Sequence, residues 1–387
     1  MKQTHLIPAA AFFGCILTAS AQLTIPSDGS DGALNITQDT VIDLSQAVTG
    51  TWDQNNSAKA GKGVYDPEKW AVVFKYSSVN IEGNIPVGGT LQGRTVRFIN
   101  HPSHAPVVWL VQGNVTINGI LNLNGQNGTN NSVSALTPTE PGPGGFRGGA
   151  YGPNGSGYGY GPGGGYGANY TSAYGNPQII PLIGGSGCWG FQGSGGSGGG
   201  AILIASSENV VIGGNVIASG GANRGAETGS GGAVRIVAST VSGAGAINAM
   251  RDGRIRIETN TLAPSLRTAP ETVGVPPANP PILWPAENAP KARVVSVDSV
   301  VAPTDPNAPL LASADVAIQN NAPVNILIET QDFPIEGVVQ LHISPKFAAR
   351  TTHTATRISG DINVATWRVT TTLPQGFVTL QARATQP

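Results

Sequence analysis

Val115-Thr-Ile-Asn-Gly-Ile-Leu-Asn-Leu-Asn-Gly125 returns later in the chain as Val210-Val-Ile-Gly-Gly-Asn-Val-Ile-Ala-Ser-Gly220. Ile117 matches Ile212, Gly119 matches Gly214 and Gly125 matches Gly220, and the rhythm recurs weakly as Val241-Ser-Gly-Ala-Gly-Ala-Ile-Asn-Ala249. A second motif precedes the later copies: Gly198-Gly-Gly-Ala-Ile-Leu-Ile-Ala-Ser206 is echoed by Gly231-Gly-Ala-Val-Arg-Ile-Val-Ala-Ser239. Ala201 to Ala233 is 32 residues, Val210 to Val241 is 31, and Ile117 to Ile212 is 95, close to three such periods. Self-similarity at this period is the mark of a solenoid whose turns stack and bury a shared apolar column.

Within each copy apolar residues alternate, as in Val115, Ile117, Leu121 and Leu123, so one face points inward and the other carries Thr116, Asn118 and Asn122. Gly119, Gly214 and Gly245 fall where the chain must bend sharply or approach another backbone closely. Short β-branched strands with no helices between them predict a right-handed parallel β-helix rather than an open parallel sheet. Thr40–Leu44, Trp70–Tyr76, Thr95–Asn100 and Val107–Val111 supply further strands for its first coils.

The composition then divides the chain. Residues 129–200 read as a long Gly/Tyr-rich insertion: residues 141–200 hold 25 of the 54 glycines, and residues 151–174 hold six of the eight tyrosines. Such a segment has few branched groups to bury and a large entropy to lose on ordering. Residues 261–290 contain eight prolines and read as an extended linker. Beyond it, Arg293–Val300, Asp315–Gln319, Val324–Thr330, Val338–Ile343, Thr354–Ile358, Val364–Val369 and Phe377–Ala382 predict seven strands, the pattern of an immunoglobulin- or fibronectin-like β-sandwich over 291–387. The expected class is all-β: signal peptide 1–21, β-helix 22–260, linker 261–290, sandwich 291–387.

The signal peptide is read from Lys2, the apolar run Leu6–Leu17 and Ala19-Ser-Ala21, which places cleavage before Gln22 rather than a lipid at Cys15. No later stretch approaches the roughly 18 apolar residues of a membrane helix. Export without a membrane span makes the chain secreted, extracellular or surface-associated, with the periplasm as the other compartment open to it. Cys188 is left without a partner in the mature chain. Charged residues are 11% of the sequence, against about 25% in ordinary domains. The net charge of −1 offers no field to attract nucleic acid.

Candidate chemistry is sparse. Gly195-Gly-Ser-Gly-Gly199 fits a nucleophile pattern but lies in a tract where glycine and serine make it unavoidable, without the strand, helix and histidine it needs. His101-Pro-Ser-His104 reads as a polar turn, lacking further metal ligands. Asp28 and Asp31, in Ser27-Asp-Gly-Ser-Asp-Gly32, are spaced as in some Ca²⁺ loops, with two Asp-Gly turns as the simpler account. Arg254, Arg256 and Glu258 share one face of a strand, with Arg235 one coil earlier and Asp252 nearby. Polysaccharide lyases of the β-helix class pair an arginine base with Ca²⁺-binding carboxylates, so these residues form the catalytic alternative to a solvated charged face. Tyr158, Tyr160, Tyr166, Tyr170 and Trp189 are candidates for stacking on sugar rings.

The signal peptide, the Ser27–Gly32 opening, Pro141-Gly-Pro-Gly-Gly-Phe-Arg-Gly-Gly149, the Gly-Ser-Gly-Gly-Ala strand starts and Gly253-Arg-Ile-Arg-Ile-Glu258 together resemble glycine-rich secreted bacterial proteins with a β-helix-like repeat region. The resemblance covers about residues 23–260 and implies no activity. The expected function is therefore non-catalytic, structural or adhesin-like, with polysaccharide or matrix components as partners. The alternative is a lyase or hydrolase acting on acidic glycans.

Overall fold

Alternation of apolar and polar residues sends every second side chain to one face, and here those faces meet around one core. In the computed structural model the chain passes repeatedly through three sheets. The first holds Ala71–Tyr76, Val107–Val111, Ala201–Ser206, Ala233–Val237, Arg254–Glu258 and Gly274–Val275, all parallel, with Val64–Asp66 and Val48–Thr49 at one end. The second holds Ala33–Ile36, Ser78–Ile81, Val115–Ile117, Asn209–Ile212, Thr240–Ser242 and Thr261–Leu262. The third holds Thr40–Asp43, Thr95–Ile99, Ile120–Asn122, Asn215–Ile217, Ala246–Asn248 and Arg267–Ala269. The described residues are 22–387 apart from 55–58, 84, 88–89, 93, 130–136, 153–154, 165–173, 223–227, 307–313 and 320. The expected signal peptide lies outside them.

Each pass visits the first, second and third sheet in turn, the arrangement that a β-helix-like solenoid requires. Val72, Phe74 and Trp109 from the first sheet, Ile81, Ile117 and Ile212 from the second, and Val96, Leu121, Val216 and Ile247 from the third belong to one buried cluster. The repeat offsets are the register: Ala201 pairs Ala233, Val210 pairs Val241, and Ile117 pairs Ile212. The 95-residue offset is thus one rung rather than three, because residues 123–200 leave the solenoid between two neighbouring coils. At the corner between the second and third sheets, a Cβ on Gly214 would collide with the Gly119 carbonyl, and one on Gly245 with that of Gly214. Asparagines bridge the rungs outside: Asn80 Nδ2 donates to Asn35 Oδ1 (2.9 Å) and Asn209 Nδ2 to Asn114 Oδ1 (3.2 Å).

The first sheet is covered on its outer face as well. Val73, Val108, Leu110 and Leu203 pack there against Leu23 and Ile25 from the start of the described chain, and against Leu283, with Trp52 and Trp284 alongside. This explains the unbroken apolar runs of its strands. It also revises the linker. Residues 261–275 add a rung to all three sheets, with Pro264 and Pro270 in the turns between strands, where no ladder donor is lost.

The glycine-rich insertion packs backbone on backbone. Gly187 N donates to Tyr160 O (3.0 Å) and Gly190 N to Gly157 O (3.0 Å), while Gly185 N donates to Gly199 O (2.8 Å) and Cys188 N to Gly196 O (2.9 Å). Each neighbour is met every third residue, the period of polyproline II geometry rather than of a strand. Carbonyls fill the space that side chains would occupy: a Cβ on Gly198 would overlap the Gly185 carbonyl. The fully buried Ser186 and Ser197 keep their hydroxyls paired, with Gly163 N (3.0 Å) and Gln126 O (3.2 Å) respectively. With few branched side chains to bury, the insertion is ordered by backbone hydrogen bonding and glycine-only contacts.

Beyond residue 290 a five-stranded and a three-stranded antiparallel sheet share a core of Ile326, Ile328, Leu341, Ile343 and Trp367. Six of the seven expected strands form. Residues 315–319 are not a strand, although Val316 and Ile318 pack on the core. Arg350 ties this unit to the glycine-rich segment, its Nη1 donating to Gly164 O (2.7 Å) and its Nη2 to Gly159 O (2.9 Å).

Two substitutions test the packing. Ile212→Asp places a charge in the fully buried column and should cost more than about 4 kcal/mol, while Thr116→Asp on the outward face stays within about 1 kcal/mol, as read by denaturant unfolding. Gly198→Ala should cost about 3 kcal/mol or more, since the overlapped atom is backbone and has no rotamer to retreat into.

Candidate functional site

The arginine face comes together as the sequence indicates. Arg235 lies beside Arg256 in register, and Glu258 Oε1 accepts from Arg235 Nε (2.8 Å) and Arg256 Nε (2.7 Å). Arg235, 2% exposed, also donates to Ile282 O (2.8 Å). Arg254 donates to Ile183 O (2.7 Å) and Tyr174 O (3.3 Å) and stands over the Tyr174 ring. Burial lowers the pKa of both Arg235 and Arg254. The face is partly covered: Arg235 is buried beneath residue 282, while residues 174–183 lie over Arg254 and leave a hollow of about 350 Å³ beside Arg254 and the 25%-exposed Arg256. Glu258 is the one carboxylate in this network, while Asp252 sits exposed in a turn at φ 61°.

The aromatic candidates are used for packing. Tyr160 is 6% exposed and Trp189 9%, the latter stacked on Phe191 at 4.9 Å, while Tyr158 is half-buried. Tyr166 and Tyr170 lie outside the described residues. Of the two carboxylates spaced as in some Ca²⁺ loops, Asp31 pairs with a lysine: Lys59 Nζ is 2.7 Å from Asp31 Oδ2, and both side chains are buried. Asp28 instead accepts from Ser30 N at 3.0 Å. Among the described residues, no group of three or more His, Cys, Asp or Glu is placed to hold a metal.

A wider opening than the hollow beside Arg254 lies at the C-terminal ends of Thr95–Ile99 and Ile120–Asn122 in the third sheet. The chain leaves Thr95–Ile99, turns through His101–His104 and enters the first sheet at Val107; Glu140–Pro143 then crosses in front. Asn100 Nδ2 donates to Pro141 O (2.9 Å), Gly144 N to His104 O (2.8 Å), and Gln126 N to Glu140 O (3.0 Å). These bonds frame a groove of about 740 Å³, lined by Arg97, Asn100, Asn122, Asn124, Gln126 and Glu140 among others.

Its floor is a neutralised ionic cluster. Arg147 Nη2 bonds Glu140 Oε1, and His104 Nε2 lies 3.5 Å from Glu140 Oε2 and 3.4 Å from Arg147 Nη2. Burial, then Arg147 and His101, push His104 down to about 3, so the imidazole is uncharged at neutral pH. His101 stacks on Tyr65 at 3.8 Å, its Nδ1 accepting from Ser103 N (3.2 Å), and Tyr65 donates to Asp305 Oδ1 (2.6 Å). Burial lowers His101 as well. The histidine pair was visible in the sequence as a turn, and a turn it is. Glu140 and Arg147 gave no signal, because they reach it only through the fold of the glycine-rich segment.

The histidines set an acid response. An unfolded His104 titrates near 6.5 and the folded one near 3, so the unfolded chain binds the extra proton between those values. Stability should be full above pH 6.5 and decline as pH falls toward 3. His342, pushed down to about 4 by burial with Arg350 and Arg383 nearby, adds to the same window. In thermal melts from pH 7.5 to 4, His104→Asn, a residue suited to the φ of 54° at this position, should show a shallower fall of Tm than the parent.

Compared with family models, with curated proteins and with solved structures, the chain has no match.

Proposed function

We propose that this is a non-catalytic secreted or cell-surface protein, a right-handed parallel β-helix carrying an immunoglobulin-like sandwich, that binds a polysaccharide or matrix component. The observation that carries the reading is the contrast between its two polar surfaces. The arginines that a lyase would need are held by the protein's own carboxylate and carbonyls, with Arg235 2% exposed. The groove at the third sheet stays open, its lining combining apolar side chains such as Phe98 and Ile99 with the amides of Asn122, Asn124 and Gln126. A base must reach the proton it removes, and Arg235 reaches only Glu258 and Ile282.

The test is retention of the purified mature protein on insoluble neutral and acidic polysaccharides, together with an assay for unsaturated products in the presence of Ca²⁺. Retention without product is expected, and Arg256→Ala should leave retention unchanged. Product formation that Arg256→Ala abolishes would overturn the reading in favour of a lyase. Absence of retention on every polysaccharide would reject the binding role.

A further inference from the structure

Asn122, Asn124 and Gln126 occupy alternate positions of one extended segment, so their side chains leave the backbone on the same side. Each has its amide oxygen already taken by a main-chain donor. Asn122 Oδ1 accepts from Asn124 N (2.9 Å), Asn124 Oδ1 from Ser219 N (2.8 Å), and Gln126 Oε1 from Glu140 N (3.2 Å). These bonds fix which end of each amide is which, and they leave three NH₂ groups without a protein acceptor. Asn124 and Gln126 are exposed, and Arg97, on the adjoining strand of the third sheet, has a side chain 55% exposed. The carboxylate of Glu140 faces Arg147 and His104. Asn100, tied to Pro141 O through its Nδ2, adds a single acceptor.

The groove therefore presents three amide donors and Arg97 against two acceptors, Asn100 and the 40%-exposed carboxylate of Glu140, and its complement is a ligand with more acceptors than donors. A nucleic acid, with one phosphate for about every 1.7 Å of duplex, would need a run of cations, and Arg97 is the one exposed cation of the row. An apolar ligand would strip water from three amides and leave them unpaired. We propose that the groove binds a uronate-bearing polysaccharide, its carboxylates accepting from Asn124, Gln126 and Arg97 while its hydroxyls serve Asn122 and Asn100. The proposal rests on the glycan-binding reading above and specifies its site and ligand class.

The variant Asn124→Asp with Gln126→Glu keeps the oxygens that hold Ser219 N and Glu140 N but replaces both free donors by carboxylates. Calorimetric titration of the full mature chain with a polygalacturonate hexamer should show at least a tenfold loss of affinity in this variant, with an unchanged thermal transition. Arg97→Gln should weaken binding less and flatten its salt dependence. If the parent binds the hexamer and the double variant binds it equally well, the groove is the wrong site, while the general binding role survives. If the parent binds neutral glucose or N-acetylglucosamine hexamers as tightly as the acidic one, the ligand class is wrong. Binding of neither kind by the parent would remove the glycan reading itself.

Discussion

Ile117 sits beside Ile212 although 95 residues separate them, and the rest of the molecule is arranged around that contact. The chain leaves the solenoid at the end of the coil Val107–Asn122 and must come back in register, because a slip of a single residue would turn every inward side chain outward. The departing segment therefore closes on itself. Glycines let it do so within the footprint of one coil, since carbonyls there occupy positions that any side chain would claim. The groove is a product of the same constraint: the stretch that sets out from Leu123 and the stretch at Glu140 are held together where the detour begins.

The solenoid was legible because alternation encodes inside and outside locally. Val115, Ile117 and Leu121 are buried and Thr116 and Asn122 are not, as their spacing requires. The insertion was not legible, because a tract of glycine, serine and tyrosine has the same composition whether its backbone groups bond to water or to each other. What decides is long-range pairing such as Gly198 N to Phe146 O (2.9 Å), and no local pattern announces it. Prolines misled in a similar way. Eight of them over 261–290 suggest an extended linker, whereas Pro264 and Pro270 only mark where strands stop.

The candidate sites divide along that line. The register of Arg235 with Arg256 follows from the repeat, so the arginine cluster could be assembled from sequence. Its covering could not, since Tyr174, Ile183 and Ile282 arrive from segments with no sequence relation to the strand they lie on. An uncompensated buried guanidinium is costly, and the shared carboxylate of Glu258 answers that cost. These side chains hold the last coils to the detour that precedes them. Aromatic rings followed the same course, as Tyr160 and Trp189 fill space between glycine segments.

Arg350 spans the distance between the two halves of the chain, bonding Ser344 within its own sheet and the carbonyls of Gly159 and Gly164 across the junction. A pull on the C-terminal unit would reach the solenoid partly through this guanidinium. The load enters a lattice whose hydrogen bonds point toward several neighbours, so part of them resists whatever direction the force takes. A sheet edge at the same place would unzip one bond at a time. The glycine-rich segment thus forms the junction between the two halves of the chain, and its lack of side chains is what lets a guanidinium reach its carbonyls.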